Sequence, residues 1–338
     1  MTIERPGGSA LRNALLDFAR SPERADELAR LLAEVLPAYA AGPLAAKYFR
    51  LWEEHGFHLT PVHFYQPIPD TRALPDALWQ KPSELVGVDM NEAGQLDLLR
   101  NVFPEFRAEY DAIPIDPTGA PHEFYLKNGA FEGTDALVLY CMVRHFRPSL
   151  ILEVGSGFSS RLSAQAAVRN GKTRLVCIEP YPDDVLRDGF PGLASVVPKK
   201  VQEVDLEFFR ELATGDILFI DSSHVVKTGG DVTYLFLEVL PRLQPGVIVH
   251  VHDIFLPEEF PKSWVRDLHL FWTEQYLLQA FLTYNSEFEV LFANAYMGLK
   301  HVPEMQETFP KSPWWGGGSF WMRRKVAADG AGRKTAAE

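Results

Sequence analysis

Apolar residues along the first third of the chain recur at helical spacing. Leu28, Leu31, Leu32, Val35 and Leu36 follow Ser21-Pro22-Glu23, a cap residue with proline at the first helical position, and this predicts a helix. A shorter helix is predicted over Leu44 to His55. Then Pro61, Pro67, Pro69, Pro75 and Pro82 exclude regular structure, yet His58 to Gln66 is rich in aromatic residues and histidine. A long ordered loop of that kind is often functional. Asn91 to Tyr110 returns to helical spacing.

From about residue 130 the pattern alternates. A helix over Thr134 to His145 leads to a short apolar strand, Leu150 to Val154. Further strands are predicted at Arg174 to Ile178, Ala194 to Val197, Asp216 to Ile220 and Val247 to Val251, separated by helices at Ser159 to Arg169, Leu206 to Leu212 and Asp231 to Leu240. Short, nearly all-apolar strands between helices predict a parallel sheet buried on both faces. A long helix, Ser263 to Thr283, presents Trp264, Leu268, Phe271, Leu278 and Leu282 on one face, expected as core and secondarily as a homodimer face. Phe288 to Phe292 and Ser319 to Arg323, with no helix expected between them, predict an antiparallel pair at the sheet edge. The expected division is a helical and aromatic extension over 1–125 that serves as lid and substrate-pocket region, a ligand-binding α/β domain over 126–325, and a flexible tail over 326–338.

Composition narrows the class. With 46% hydrophobic and 23% charged residues, the chain is neither disordered nor fibrous. A net charge of −12 argues against nucleic acid as a partner. No apolar run reaches the roughly 18 residues of a membrane helix, and Met1 to Ala10 lacks the apolar stretch of a secretory leader. Cys141 and Cys177 sit in apolar runs and form no disulfide framework, so the expected place is the cytoplasm.

The chemistry concentrates at two strand ends. Glu153-Val-Gly-Ser-Gly-Phe-Ser-Ser160 joins a strand to a helix, and Gly155 and Gly157 let the backbone turn tightly and approach a ligand. Ser160 stands where a dinucleotide fingerprint has its third glycine, which disfavours a pyrophosphate ligand. Glu179 ends the next strand, where a carboxylate can accept two ribose hydroxyls. Glu153-x-Gly155-x-Gly157 with Glu179 resembles the motif pair of class I S-adenosylmethionine-dependent methyltransferases, and the element order over about 190 residues is similar. The resemblance implies a Rossmann-like, doubly wound, seven-stranded, mostly parallel sheet. It also implies that Glu153 lies near the methionine ammonium, that Gly155, Ser156 and Gly157 pass under the cofactor, and that Glu179 holds the ribose. Gln202 is then expected near the adenine, and Phe131 near the methionine end.

The second constellation is Asp221-Ser-Ser-His224 after the fourth strand and His252-Asp253 after the fifth. Both lie at the carboxyl edge of the sheet, where open α/β sheets bind ligands. Asp221, His252 and Asp253 are expected as ligands of a divalent ion, and His224 as general base toward a substrate hydroxyl, with Asp221 expected also in catalysis and at the cofactor. This is similar to the metal-dependent small-molecule O-methyltransferases of the catechol and macrocin types, the latter through Asp-x-x-His. The His252-Asp253 pair departs from the acidic or amide pair usual there, and imidazole suits Mg²⁺ poorly.

Trp314 to Trp321, with its glycine run, is expected mainly to pack helices onto the sheet and secondarily to move as a lid. The expected reaction is methyl transfer to a hydroxyl of a small molecule, a secondary metabolite or sugar. A sulfonium is also held by aromatic faces, and an azetidine-2-carboxylate synthase-like reaction is the alternative. There S-adenosylmethionine cyclises as sole substrate and releases methylthioadenosine, without metal. A non-catalytic cofactor-binding partner is the third reading.

Overall fold

The apolar runs become a single seven-stranded sheet whose central strands are covered on both faces, while the edge strand β3 stays partly exposed. In chain order the strands are β1 (Leu150–Val154), β2 (Arg174–Ile178), β3 (Leu193–Val197), β4 (Ile217–Ile220), β5 (Ile248–Val251), β6 (Phe288–Ala293) and β7 (Phe320–Arg324). Every residue of β1, β4 and β5 is buried, Glu153 included. The spatial order is β3-β2-β1-β4-β5-β7-β6. β1 to β5 pair in parallel, and β7 runs antiparallel to both β5 and β6. The sheet therefore reverses its winding between β1 and β4, where Val154 pairs with Ile178 on one side and Ile220 on the other. Crossover helices leave in opposite directions there and open a crevice at the carboxyl ends.

The computed structural model describes residues 8–326. Of the expected tail, residues 327–338 lie outside the described part. Two compact units part between Leu74 and Pro75. The first contains the helices Gly8–Arg20, Pro22–Val35 and Gly42–Glu54, followed by an irregular stretch. Within it Tyr39, Tyr48, Trp52 and Phe57 form a chain of ring contacts. Residues 75–125 belong to the second unit, with the sheet.

Four expected elements differ. The run from Asn91 divides into Glu92–Asp97, a wide turn over Leu98–Val102, and two short turns over Phe103–Phe106 and Arg107–Tyr110, since Pro104 cannot donate within a regular helix. Asp231–Tyr234 is likewise followed by a wide turn, Leu235–Val239, and then a short turn, Leu240–Arg242, that contains Pro241. The helix expected over Ser263 to Thr283 is two helices, Lys262–Arg266 and Glu274–Leu282. The amides of Leu268 and Leu270 bond back to Ser263 and Trp264 and close the first, and His269 takes a left-handed conformation at φ 57°. Finally, helices Asn294–Lys300 and Val302–Thr308 stand between β6 and β7, where none was expected.

Candidate functional site

The turn after β1 is fixed by its neighbours. Gly155 has φ +76°, its amide donates to Ile178 O at 3.1 Å, and a Cβ there would sit 1.7 Å from the carbonyl oxygen of Asp221. The Asp221 amide in turn donates to Val154 O at 2.8 Å. Only glycine fits between the ends of β2 and β4. Gly157 is different: nothing lies within 4 Å of where its Cβ would be, so the space above it is open.

A cleft of about 510 Å³ opens at this point, lined by Gly155, Glu179, Tyr181, Gln202, Asp221 and Ser222 among others. Glu179 accepts from the amides of Ser156 at 3.3 Å and Tyr181 at 2.8 Å, which aims its carboxylate at the glycine turn. Ser156 Oγ, Gln202 Oε1 and Ser222 Oγ are buried without hydrogen-bond partners, and Gln202 and Ser222 belong to residues that line the cleft. A larger groove, about 610 Å³, lies elsewhere against Ile113, Arg161 and Phe190 and contains none of the expected residues.

Four expected cofactor residues are not among those lining the cleft: Ser156 and Gly157 of the turn itself, and Glu153 and Phe131. Glu153 is fully buried, its Oε1 accepting from the hydroxyls of Ser159 and Ser160, both at 2.7 Å, while Oε2 has no partner. Burial raises its pKa to about 7, the serines oppose the shift, and the Asp221 charge adds to it. Phe131 is also buried, with its ring against His252 at 4.8 Å.

The second constellation converges around His224 rather than His252. His224 Nε2 lies 3.3 Å from Asp221 Oδ1 and 3.4 Å from Asp253 Oδ2, and Nδ1 lies 3.0 Å from Glu274 Oε2. His224 and Asp253 both hold left-handed backbone, at φ 58° and 56°, a costly conformation for non-glycine residues that turns both side chains toward one point. Burial works against a charge on His224, but Asp221, Glu274 and Asp253 outweigh it and raise its pKa to about 10. Asp221 stays below the ordinary carboxylate value: burial pushes it up, and the His252 and His224 imidazoles pull it down further. Burial raises both Asp253 and Glu274.

Among the described residues, Asp221, His224 and Asp253 each bring a donor atom within 4.8 Å of the others. The expected ion-binding set therefore changes. His252 is not a member; its Nε2 is 3.7 Å from Asp253 Oδ1 and its Nδ1 is buried without a partner. The donor set includes an imidazole nitrogen between the two carboxylates, and imidazole suits a hard ion such as Mg²⁺ poorly.

Glu274 and Asp135 were not singled out from the sequence. Glu274 carried a legible signal: it falls three residues after Phe271 and four before Leu278, on the apolar stripe of the predicted helix, and a charge there is anomalous. Asp135 accepts from the Gly318 amide at 2.9 Å, the Ser319 amide at 2.8 Å and Asn294 Nδ2 at 2.7 Å. It clamps the glycine run onto the back of the site. A Cβ at Gly317 would meet the Asp135 carboxylate at 2.3 Å, and one at Gly318 would meet Asp253 Cα at 2.8 Å. These glycines are required by close packing.

Residues 152–254 match the family model described as a methyltransferase domain. A protein of Archaeoglobus fulgidus, described only as uncharacterized, is 36% identical over 172 residues, which span 47% of this chain and 76% of that one. Among solved structures, the O-methyltransferase TomG from Streptomyces achromogenes, involved in tomaymycin synthesis and solved with S-adenosylmethionine, is 17% identical. That match covers 71% of this chain and 92% of TomG, at a TM-score of 0.37. An O-methyltransferase from Bacillus cereus, solved with S-adenosylhomocysteine, is 13% identical over 70% of this chain and 98% of its own, at a TM-score of 0.34.

Proposed function

Within the class I S-adenosylmethionine-dependent methyltransferase family, to which this chain belongs, we propose methyl transfer to a hydroxyl of a small molecule as its activity. The observation that carries this reading is that Asp221 is shared: it lines the cleft beside the glycine turn and also contacts His224. A donor in the cleft and an acceptor at His224 then meet across one carboxylate.

Glu179 holds the ribose in this reading, Gly155, Ser156 and Gly157 run under the donor, and Gln202 faces the base. The three unpartnered polar atoms beside these residues support that placement, as does the open space over Gly157. Glu153 acts from behind the turn, fixing Ser159 and Ser160. When bound, S-adenosylmethionine supplies an activated methyl group on a sulfonium. The protein's share is to align the acceptor and exclude water.

His224 is proposed as the base with one qualification of chemistry. With a pKa of about 10 it keeps its proton at neutral pH while the cleft is empty. A positive charge entering beside Asp221 lowers that affinity, since like charges disfavour each other, and moves His224 toward the neutral form a base requires. No metal is part of this reading.

Mass spectrometry of products tests it. The protein is incubated with S-adenosylmethionine alone and with a panel of phenols and sugars, each with and without EDTA. S-adenosylhomocysteine and a methylated hydroxyl, both indifferent to EDTA, are expected. Methylthioadenosine with a cyclic amino acid from the cofactor alone would replace the reading with intramolecular cyclisation. Binding without turnover across the panel would leave a cofactor-binding partner protein.

A further inference from the structure

We propose that Glu274 is a positioning residue that holds His224 through its Nδ1–H and thereby presents Nε2 to the acceptor; the catalytic part of this proposal rests on the methyl-transfer reading above.

The contact is built from both backbone and side chain. The carboxylate oxygen of Glu274 lies 3.0 Å from His224 Nδ1, and the two side chains are 1% and 8% exposed. The amides of Thr273 and Glu274 donate to His224 O at 2.9 and 3.1 Å, and the Val226 amide donates to Thr273 Oγ1 at 2.7 Å. Three hydrogen bonds therefore lock the loop after β4 to the start of the helix Glu274–Leu282. The Trp272 ring lies against the imidazole, 4.4 Å between centroids, and limits its rotation. The break over residues 267–273 makes this possible, because it turns Trp272, Thr273 and Glu274 toward His224.

Electrostatics selects the same orientation. Glu274 Oε1 has no hydrogen-bond partner, so Oε2 facing the imidazole is the contact that compensates a deeply buried carboxylate. Its place in the first helical turn adds the favourable end of the helix dipole. The other charged groups near His224, Asp221 and Asp253, both meet Nε2, and His252 stands beyond Asp253. Only Glu274 addresses Nδ1 among the described residues' ion pairs. With Nδ1 committed to Glu274, a proton taken from an acceptor can enter only at Nε2.

Three measurements test the assignment on the full chain. In the first, ¹⁵N-histidine NMR of the wild type is expected to show a downfield, slowly exchanging His224 Nδ1–H, assigned by its loss in His224→Asn; a His224 ring with bare Nδ1 would overturn the proposal without any variant at Glu274. In the second, Glu274→Gln preserves shape and removes charge, and Glu274→Ala removes the contact. Exchange of the Nδ1 proton is expected to accelerate at least about tenfold in the alanine variant, and unchanged exchange would overturn the positioning role. In the third, turnover with a hydroxyl acceptor is expected to fall about tenfold for Glu274→Gln and about a hundredfold for Glu274→Ala in kcat, within the range of general-base contributions. The dissociation constant for S-adenosylmethionine should stay within about twofold. Full kcat in both variants would overturn the proposal and leave methyl transfer standing. An altered Nδ1 signature with no hydroxyl acceptor found would remove the reaction and keep the positioning contact.

Discussion

Gly155 and Gly157 look equivalent in the sequence, and the structure separates them. At Gly155 any side chain meets the main-chain oxygen of Asp221 at 1.7 Å and must also adopt φ +76°. Backbone cannot yield as a flexible side chain can. Gly155→Ala is expected to cost roughly 3 kcal/mol or more of stability, by parting the ends of β1 and β4. Gly157→Ala meets nothing within 4 Å. It is expected to melt with the wild type and to bind S-adenosylmethionine at least about tenfold more weakly, because its methyl group enters space the ligand uses. Calorimetry on both variants checks this pair, and a stable Gly157→Ala with full affinity would remove the turn from the binding site. Glu153 gives a third test at this scale. Its folded pKa of about 7 lies above the ordinary 4.5, so the folded chain holds the proton more tightly than the unfolded chain. The resulting stability is complete below 4.5 and is lost as pH rises through about 7. Glu153→Gln keeps an acceptor for Ser159 and Ser160 and has no charge to bury. Its stability should therefore lose the wild-type decline across that window, a difference read from denaturant titrations at pH values on either side of it.

Among the elements, the strands were legible and the connections were not. β2 runs over Arg174–Ile178, the span expected from the sequence, because beyond the exposed Arg174 a strand covered on both faces must be apolar. The helix expected from Ser263 onward failed for a complementary reason. Its apolar stripe holds only in the second half, where Leu278 and Leu282 are buried; Leu268 is 60% exposed, and Trp264 and Phe271 are half-buried, because periodicity does not register a chain that turns out at Asp267 and re-enters at Glu274. The glycine run before β7 shows the same limit. Three consecutive glycines are compatible with motion, and nothing in the sequence says that the Asp135 carboxylate occupies the space a Cβ would need at Gly317. With that contact known, the packing role expected first for this run is the one that can be tested. Asp135→Ala leaves the amides of Gly318 and Ser319 buried without their acceptor and frees the strap behind Asp253. A loss of about 3 kcal/mol or more follows from three unsatisfied buried donors, Asn294 Nδ2 being the third. Turnover should fall along with stability, because Ile254 N bonds to Gly318 O and the strap thereby holds the end of β5. Hydrogen exchange would locate the loosened segment: new exchange confined to the β5 end and residues 316–319 supports the clamp, and a uniform increase refutes it.

Taken over the whole molecule, the buried acids and histidines set a direction for stability against pH. The sequence placed Asp221, His224 and Asp253 at one sheet edge because strand ends in a parallel sheet share an edge. It could not show that three carboxylates surround one imidazole, since that depends on Glu274 arriving from a broken helix and on two left-handed residues. The consequence is global. His224 has a folded pKa of about 10 against an ordinary 6.5, so its contribution is complete below 6.5 and is lost as pH rises through about 10. The Glu153 contribution also declines with rising pH, over a lower window, between 4.5 and about 7. At the acid end the slope has the opposite sign. Glu109 is held at about 2 by Arg144, aided by Tyr140, so the stability it brings is present above 4.5 and is lost as pH falls through about 2. These windows place the maximum near pH 5, on the acid side of neutrality, with a long decline toward pH 10. Calorimetric melting from pH 3 to 10 reads the curve directly. The part of the alkaline decline that belongs to His224 should be absent in His224→Asn, which has no proton to lose there. A wild-type plateau from neutrality to pH 10, superimposable on that of the variant, would mean that the imidazole is not held as a cation. The charge relation among Asp221, Asp253, Glu274 and His224 would then have to be redrawn before any base is assigned.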